Sequence, residues 1–256
     1  MYAIEMHEPS EEFARCWSAA GRHLSVSAQD GFLSWLKKDL IPPFLEHLSF
    51  RMGNQLFFVR IDDVDGNVRG PGNLGGFRAI AKGCSGVPCR MPMRRTGSGW
   101  KPELSGWGLI HDDTGQPLNP VVLISEEQIE MTDWEVQDFS VQVVRDYIVG
   151  KLGRELISSQ GNPEVDPSIW FVGGDGPEWV VVRAVKYPEK EAALPKNIAD
   201  IAADCARNST IGHFASVSVA NSKDPFDPSG KAPPMPLWRG HAMFVNFAGL
   251  VPAKVH

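Results

Sequence analysis

Residues 131–187 read MTDWEVQDFSVQVVRDYIVGKLGRELISSQGNPEVDPSIWFVGGDGPEWVVVRAVKY, a stretch with clear helix and hairpin signals. Thr132 and Glu135 form a T-x-x-E capping box, in which each partner satisfies a backbone N–H that the first helical turn leaves open. Met131 and Val136 flank it at the spacing of a hydrophobic staple. Val136, Phe139, Val143, Val144, Tyr147, Ile148 and Leu152 then recur at helical spacing, with Asp138, Gln142, Arg145 and Lys151 mostly on the other side. One long helix is predicted, ending near Ser158 ahead of Gly161 and Pro163. Two apolar runs at 168–172 and 179–187, joined by GGDGPE, read as a β-hairpin. Their hydrophobicity is nearly continuous rather than alternating, so both strands are expected mid-sheet with helices over both faces.

Downstream, Ile198, Ile201, Ala202 and Cys205 predict a helix over 198–207. Strands are predicted at 213–220 and 242–250, separated by the Pro-rich KDPFDPSGKAPPMPLW. Upstream, Phe13, Cys16, Trp17 and Ala20 behind Ser10 predict an N-terminal helix over 9–24. Phe32, Leu33, Trp35, Leu36 and Leu40 suggest a second helix that stops before Pro42 and Pro43. Strands are expected at 47–52, 55–62 and 67–69, with turns at Gly53–Asn54 and Asp65–Gly66. Residues 70–108 are dense in Gly and Pro and lack a sustained period, so mostly irregular chain is expected there. A strand, a turn at 112–115 and a short strand at 121–124 complete the first half. No internal repeat is apparent in the letters. The fold class is α+β: a mixed β-sheet covered by helices, with a central long helix followed by a β-hairpin. The halves are 1–125, an α/β region with the Gly/Pro-rich loop, and 126–256, an α-β-β-α-β-β region; the alternative is one continuous domain.

At 256 residues the chain can bury a sizeable core, and its 43% apolar and 22% charged residues are those of an ordered globular protein. The formal charge of −6 does not favour non-specific attraction to nucleic acid or anionic membrane, although a local basic groove remains open. No apolar run approaches the roughly 18–20 residues of a membrane span, and MYAIEMHEPSEEFARCW lacks the basic and apolar regions of a signal peptide. A soluble, cytoplasmic protein with no membrane partner is expected. Its four cysteines, Cys16, Cys84, Cys89 and Cys205, are too few and scattered for a disulfide framework.

Several local patterns point to chemistry and have a plainer reading beside it. Asp62, Asp63, Asp65 and Asn67 resemble a calcium loop, but the sixth and twelfth positions counted from Asp63 are Val68 and Leu74 instead of Gly and Glu. A solvated turn is expected. GPGNLGG at 70–76 has neither the P-loop ending nor the dinucleotide spacing, and the region is of interest as a lid or binding loop. Cys84 and Cys89 supply only half of a zinc site. Arg90, Arg94, Arg95 and Lys101 interleave with Trp100 and Trp107 in the manner of single-strand nucleic-acid binders; pairing with the protein's own carboxylates is the competing reading.

The order helix, strand, strand, helix, strand in the C-terminal half resembles the core of the PD-(D/E)XK nuclease superfamily. Asp166 stands before the first hairpin strand and Lys186 late in the second, where that family places an Asp and the lysine of its acid–spacer–lysine motif. The resemblance implies a divalent metal held by two carboxylates, with the lysine assisting the attacking water. The second carboxylate belongs two positions before the lysine, and Ala184 stands there, preceded by Arg183. Glu178 and Glu155 are the available substitutes. A second constellation comprises His213 and His241, each after a glycine at a predicted strand start, with Arg183 and Arg239. Three functions are therefore carried forward. The first is a non-catalytic module binding another macromolecule, protein or nucleic acid, on a degenerate nuclease-like scaffold, with Arg183, Arg239, Arg94, Arg95 and Trp100 as binding residues. The second is a metal-dependent nuclease or hydrolase using Asp166, Glu178, Lys186, His213 and His241, and under this reading alone a divalent metal is the cofactor. The third is a small-molecule binding protein.

Overall fold

The computed structural model of the chain describes residues 8–29, 33–42, 44–226 and 232–253. It divides into two compact units, residues 3–129 and 130–256, each with its own sheet. The α+β expectation holds.

In the C-terminal unit, Asp133–Asp146 forms helix α3, and Thr132 and Glu135 close both hydrogen bonds of the capping box. Glu135 does more than cap. While its Oε2 accepts from the Thr132 N–H at 2.9 Å, its carboxylate also takes the Arg239 guanidinium through Nε at 2.8 Å and Nη2 at 2.9 Å. Both side chains are buried, so the start of the helix is pinned to a residue over a hundred positions later. The helix is shorter than its apolar stripe predicts: it loosens into a π turn over Tyr147–Lys151, and Gly153 adopts φ 63°. Strand β8 (Leu156–Ser159) follows where helix was expected, because Leu156 finds a cross-strand partner in Phe171. Strands β9 (Ile169–Val172) and β10 (Pro177–Lys186) form the hairpin, helix α4 spans Ile198–Cys205, and β11 (Gly212–Asn221) returns parallel to β10. The predicted last strand is two short ones, β12 (Met243–Asn246) and β13 (Val251–Pro252), pairing with opposite ends of β11. Strand β10 lies mid-sheet: Val180 and Val182 pack with α3 residues, and Trp179 and Val181 with Ile198 and Ile201 of α4.

The N-terminal unit begins with α1 (Glu11–Ser27), capped by Ser10 accepting from the Phe13 N–H at 3.2 Å. The helix predicted over 32–40 is instead strand β1 (Ser34–Lys37), with Phe32 outside the described residues. Trp35 lies edge-on to Phe50 across the strand pair at 5.8 Å, a tertiary contact that outweighs a stripe too short to distinguish the two periods. Strands β2 (Leu48–Met52) and β3 (Gln55–Asp63) form the expected hairpin. The strand predicted at 67–69 is absent; this chain is a turn in which the Asp63 carboxylate accepts three backbone N–H groups.

Residues 70–108 are the largest correction. They contain helix α2 (Leu74–Gly83), capped by Asn73, and strands β4 (Val87–Thr96) and β5 (Gly99–Pro102). Val87, Cys89, Met91 and Met93 pack into the core at period two while Pro88 and Pro92 fall between them, which disguises the strand. Strands β6 (Leu109–His111) and β7 (Pro117–Leu118) end the sheet, and the strand predicted at 121–124 is a 3₁₀ turn over Pro120–Leu123.

The two units repeat one order of elements, helix, three antiparallel strands, helix and a strand parallel to the third, in α1–β1–β2–β3–α2–β4 and again in α3–β8–β9–β10–α4–β11. The fourth strand then receives one short strand near its C-terminal end and one near its start in both units. Arg60 facing Arg90 in the first unit matches Arg183 facing Ser216 in the second. The repeat is absent from the letters because inward positions differ: Phe57 stands against Val180, and Trp17 and Ala20 against Gln137 and Ser140.

Two expected outcomes test this description. Glu135→Ala removes both the cap and the buried counter-charge of Arg239 and should cost about 3–5 kcal/mol in urea unfolding, against about 1 kcal/mol for Thr132→Ala. In the first unit, burial pushes the His47 ring down to about 3, with the Lys37 charge adding to the effect. A pKa depressed on folding contributes stability above the unfolded value near 6.5 that is lost as pH falls toward the folded value. Wild type should therefore lose stability progressively below pH 6.5, and His47→Phe should flatten that part of a stability–pH curve.

Candidate functional site

The polar residues singled out in the C-terminal unit do not converge. Arg183 grips Asp166 with both arms of its guanidinium, Nη1 to Oδ1 at 2.9 Å and Nη2 to Oδ2 at 2.5 Å. Side chains alternate along a strand, so Arg183 projects to the α4 face with Val181, whereas Glu178 and Lys186 project to the α3 face with Val180 and Val182. Glu178 meets His213 at 2.6 Å near the start of β10. Lys186 stands at the other end, eight positions or roughly 26 Å along the strand, and contacts Asp133 at 2.8 Å. Asp166, Glu178 and Lys186 thus occupy three separate places, and of the five proposed catalytic residues only Glu178 and His213 meet. His241 is half-buried, its backbone N–H donating to the Trp238 carbonyl.

The proposed binding residues are largely engaged within the protein. Arg239 is buried against Glu135. Arg94 donates to Asp65 and Glu103, and Arg95 pairs with Glu12. Trp100 is buried, with its indole N–H donating to Glu12 at 2.6 Å and Arg95 over its ring. These pairs satisfy the reading in which the arginines meet the protein's own carboxylates. Cys84 and Cys89 are buried free thiols, and burial raises Cys89 well above the ordinary thiol range. Among the described residues no three His, Cys, Asp or Glu side chains stand where they could share a metal ion. Also among the described residues, no helix is long and apolar enough to cross a membrane.

The geometry draws attention to the N-terminal unit. A cavity of about 440 Å³ opens on the α2 face of the sheet, at the C-terminal ends of the parallel strands β3 and β4. Arg60 and Arg90, direct neighbours across the two strands, line it with Asp62, Asp63, Val64, Leu74, Pro92 and Ile110. Asp62 approaches Arg60 Nε at 3.3 Å, and burial raises its carboxyl despite the opposing pull of Arg60 and Arg90. Asp112, almost wholly buried, receives Arg78 Nε at 2.5 Å and stands 3.0 Å from Arg90 Nε. Arg60 Nη1 is buried and has no hydrogen-bond partner among the described residues. Two signals for this site are present in the sequence: an Arg and an Asp inside the apolar run LFFVRID, and further arginines in RMPMRR, on the strand that pairs with it. The regular structure around them went unrecognised because α2 and β4 lie in the Gly/Pro-rich segment.

Residues 134–253 match a domain of unknown function, DUF8840, which takes in the C-terminal unit and just under half of the chain. No curated protein and no solved structure matches. The cavity of the N-terminal unit lies outside the matched residues.

If the Asp166–Arg183 pair is structural, Asp166→Ala should strand a largely buried guanidinium and cost about 3 kcal/mol. The double change Asp166→Leu with Arg183→Met should recover most of that loss, as read by urea denaturation of the three variants.

Proposed function

We propose that the protein is a non-catalytic module that binds another macromolecule, built on a frame resembling the PD-(D/E)XK nucleases whose metal chemistry has been lost. The order α3–β9–β10–α4–β11 supports the likeness, with β8 as a strand beyond the expected order, Asp166 just ahead of β9 and Lys186 at the end of β10. One observation carries the non-catalytic reading: Asp166 is neutralised by Arg183 on one face of the sheet while Lys186 leaves the opposite face, with Ala184 where the second carboxylate belongs. A metal-bound water would need these groups within hydrogen-bond reach of one another.

The partner favoured is a protein. Strand β12 ends its sheet and exposes Phe244 and Val245, a combination of open backbone hydrogen-bonding groups and apolar side chains suited to an added strand. The charge of −6 and the internal pairing of Arg94 and Arg95 speak against nucleic acid. A cytoplasmic location belongs to the same reading, where four buried thiols are chemically at home.

Calorimetry of the full chain with Mg²⁺ and Mn²⁺, run beside a plasmid-cleavage assay, tests the proposal. The expected result is no saturable metal binding and no cleavage. Cleavage that disappears in Asp166→Asn or Lys186→Gln would overturn it in favour of a metal-dependent nuclease.

A further inference from the structure

The two units present the same place twice, at the C-terminal ends of the parallel strands on the face covered by the crossover helix, and they fill it differently. In the C-terminal unit the chain after β10 folds onto it. The Ala192 N–H donates to Ser216 Oγ at 2.7 Å, and Ser218 Oγ donates to the Glu189 carbonyl at 2.8 Å. Ser216 and Ser218 match Arg90 and Pro92 in strand register. In the N-terminal unit the corresponding chain is organised by Asp63 instead, and the place is a cavity of about 440 Å³. That volume lies in the range of small-molecule sites, roughly 300–1,000 Å³.

Placing two guanidinium groups side by side on adjacent strands is unfavourable unless negative charge lies between them. The protein supplies that charge only in part. Asp112, which is not among the lining residues, is shared between Arg90 and Arg78. Asp63, although on the rim, spends its carboxylate on three backbone N–H groups. Asp62 meets Arg60 through Nε and stands 4.0 Å from Arg90 Nη1. Among the described residues, Arg60 Nη1 is a buried donor with no acceptor, a group that a native structure ordinarily satisfies. The first turn of α2, whose Leu74 lines the cavity, contains no acidic residue, and Asn73 caps Gly76, so the positive end of the helix faces the same space. The place also corresponds to the crevice beyond the carboxyl ends of parallel strands where open α/β sheets take ligands.

We propose that this cavity is an oxyanion site, receiving the phosphate or carboxylate group of a small molecule between Arg60, Arg90 and the start of α2. The planar, forked donors of arginine fit either group, and Val64, Leu74, Pro92 and Ile110 provide an apolar wall for the remainder of the molecule. The site is separate from the nuclease-like frame of the C-terminal unit and stands whether or not that unit binds a macromolecule.

Calorimetric titration of the full chain with inorganic phosphate and with malonate tests the assignment. Saturable binding of at least one probe is expected, and each of Arg60→Gln and Arg90→Gln should weaken it by about tenfold or more. Arg15→Gln, on the exposed side of α1, should leave it unchanged. Tighter phosphate binding identifies a phosphoryl ligand, and tighter malonate binding a carboxylate ligand. Failure of both probes to saturate by roughly 10 mM overturns the proposal, as does undiminished binding by folded Arg60→Gln and Arg90→Gln. Should those variants not fold, hydrogen exchange on the wild type decides: probe-dependent protection at 60–64, 73–77 and 90–92 supports the site, and protection elsewhere or none rejects it.

Discussion

Parallel strands cannot be joined by a tight turn; the chain must leave the sheet at one end, cross a face and re-enter at the opposite end, where the first strand began. That requirement shapes both halves of this molecule. Strands β3 and β4 pair in parallel through α2, and β10 and β11 through α4, and in each case the crossover helix covers one face while the preceding long helix covers the other. The third strand is consequently buried on both sides, which demands apolar residues at successive positions: Leu56–Phe57–Phe58–Val59 and Trp179–Val180–Val181–Val182. Where such a run meets a charged residue, as at Arg60 and Arg183, the charge must find a partner within the fold or in a ligand.

The two arginines show how one frame reaches different ends. Arg183 has Asp166, contributed by the chain entering β9, and its neighbouring strand carries a serine that ties down the crossover loop. Arg60 has a looser partner in Asp62 and a second arginine beside it. One arrangement closes upon itself and the other leaves a lined cavity. Glu135 illustrates the same economy within the second unit, serving as helix cap and as counter-charge to Arg239 through one carboxylate.

What could be read without the fold was local in origin. The capping box at Thr132 and Glu135 depends on residues three apart, the 53–54 turn on two adjacent residues, and the doubly buried character of β10 on an unbroken apolar run. Misreadings occurred where local cues conflict with distant partners. Leu33 and Trp35 fit either period, and Phe50 decided for a strand. Pro88 and Pro92 read as breakers, yet they occupy alternate positions of β4 between inward-facing Cys89, Met91 and Met93. Two glycines at its start concealed α2, whose Phe77, Ile80 and Ala81 are buried. The duplicated order of elements was hidden as well, because equivalent buried positions accept different side chains, including Gln137, which bonds to the backbone of β10.

The class of fold, the main hairpins and the start of α3 follow from the sequence alone, since each of these is written in neighbouring residues. Only the tertiary structure decided which charges meet. Asp166 with Arg183, Glu178 with His213, Glu135 with Arg239 and the Arg60–Arg90 pair all join residues separated by long stretches of chain. Strand register and the alternation of faces set those meetings, and a shift of one residue in pairing would carry every side chain to the opposite face.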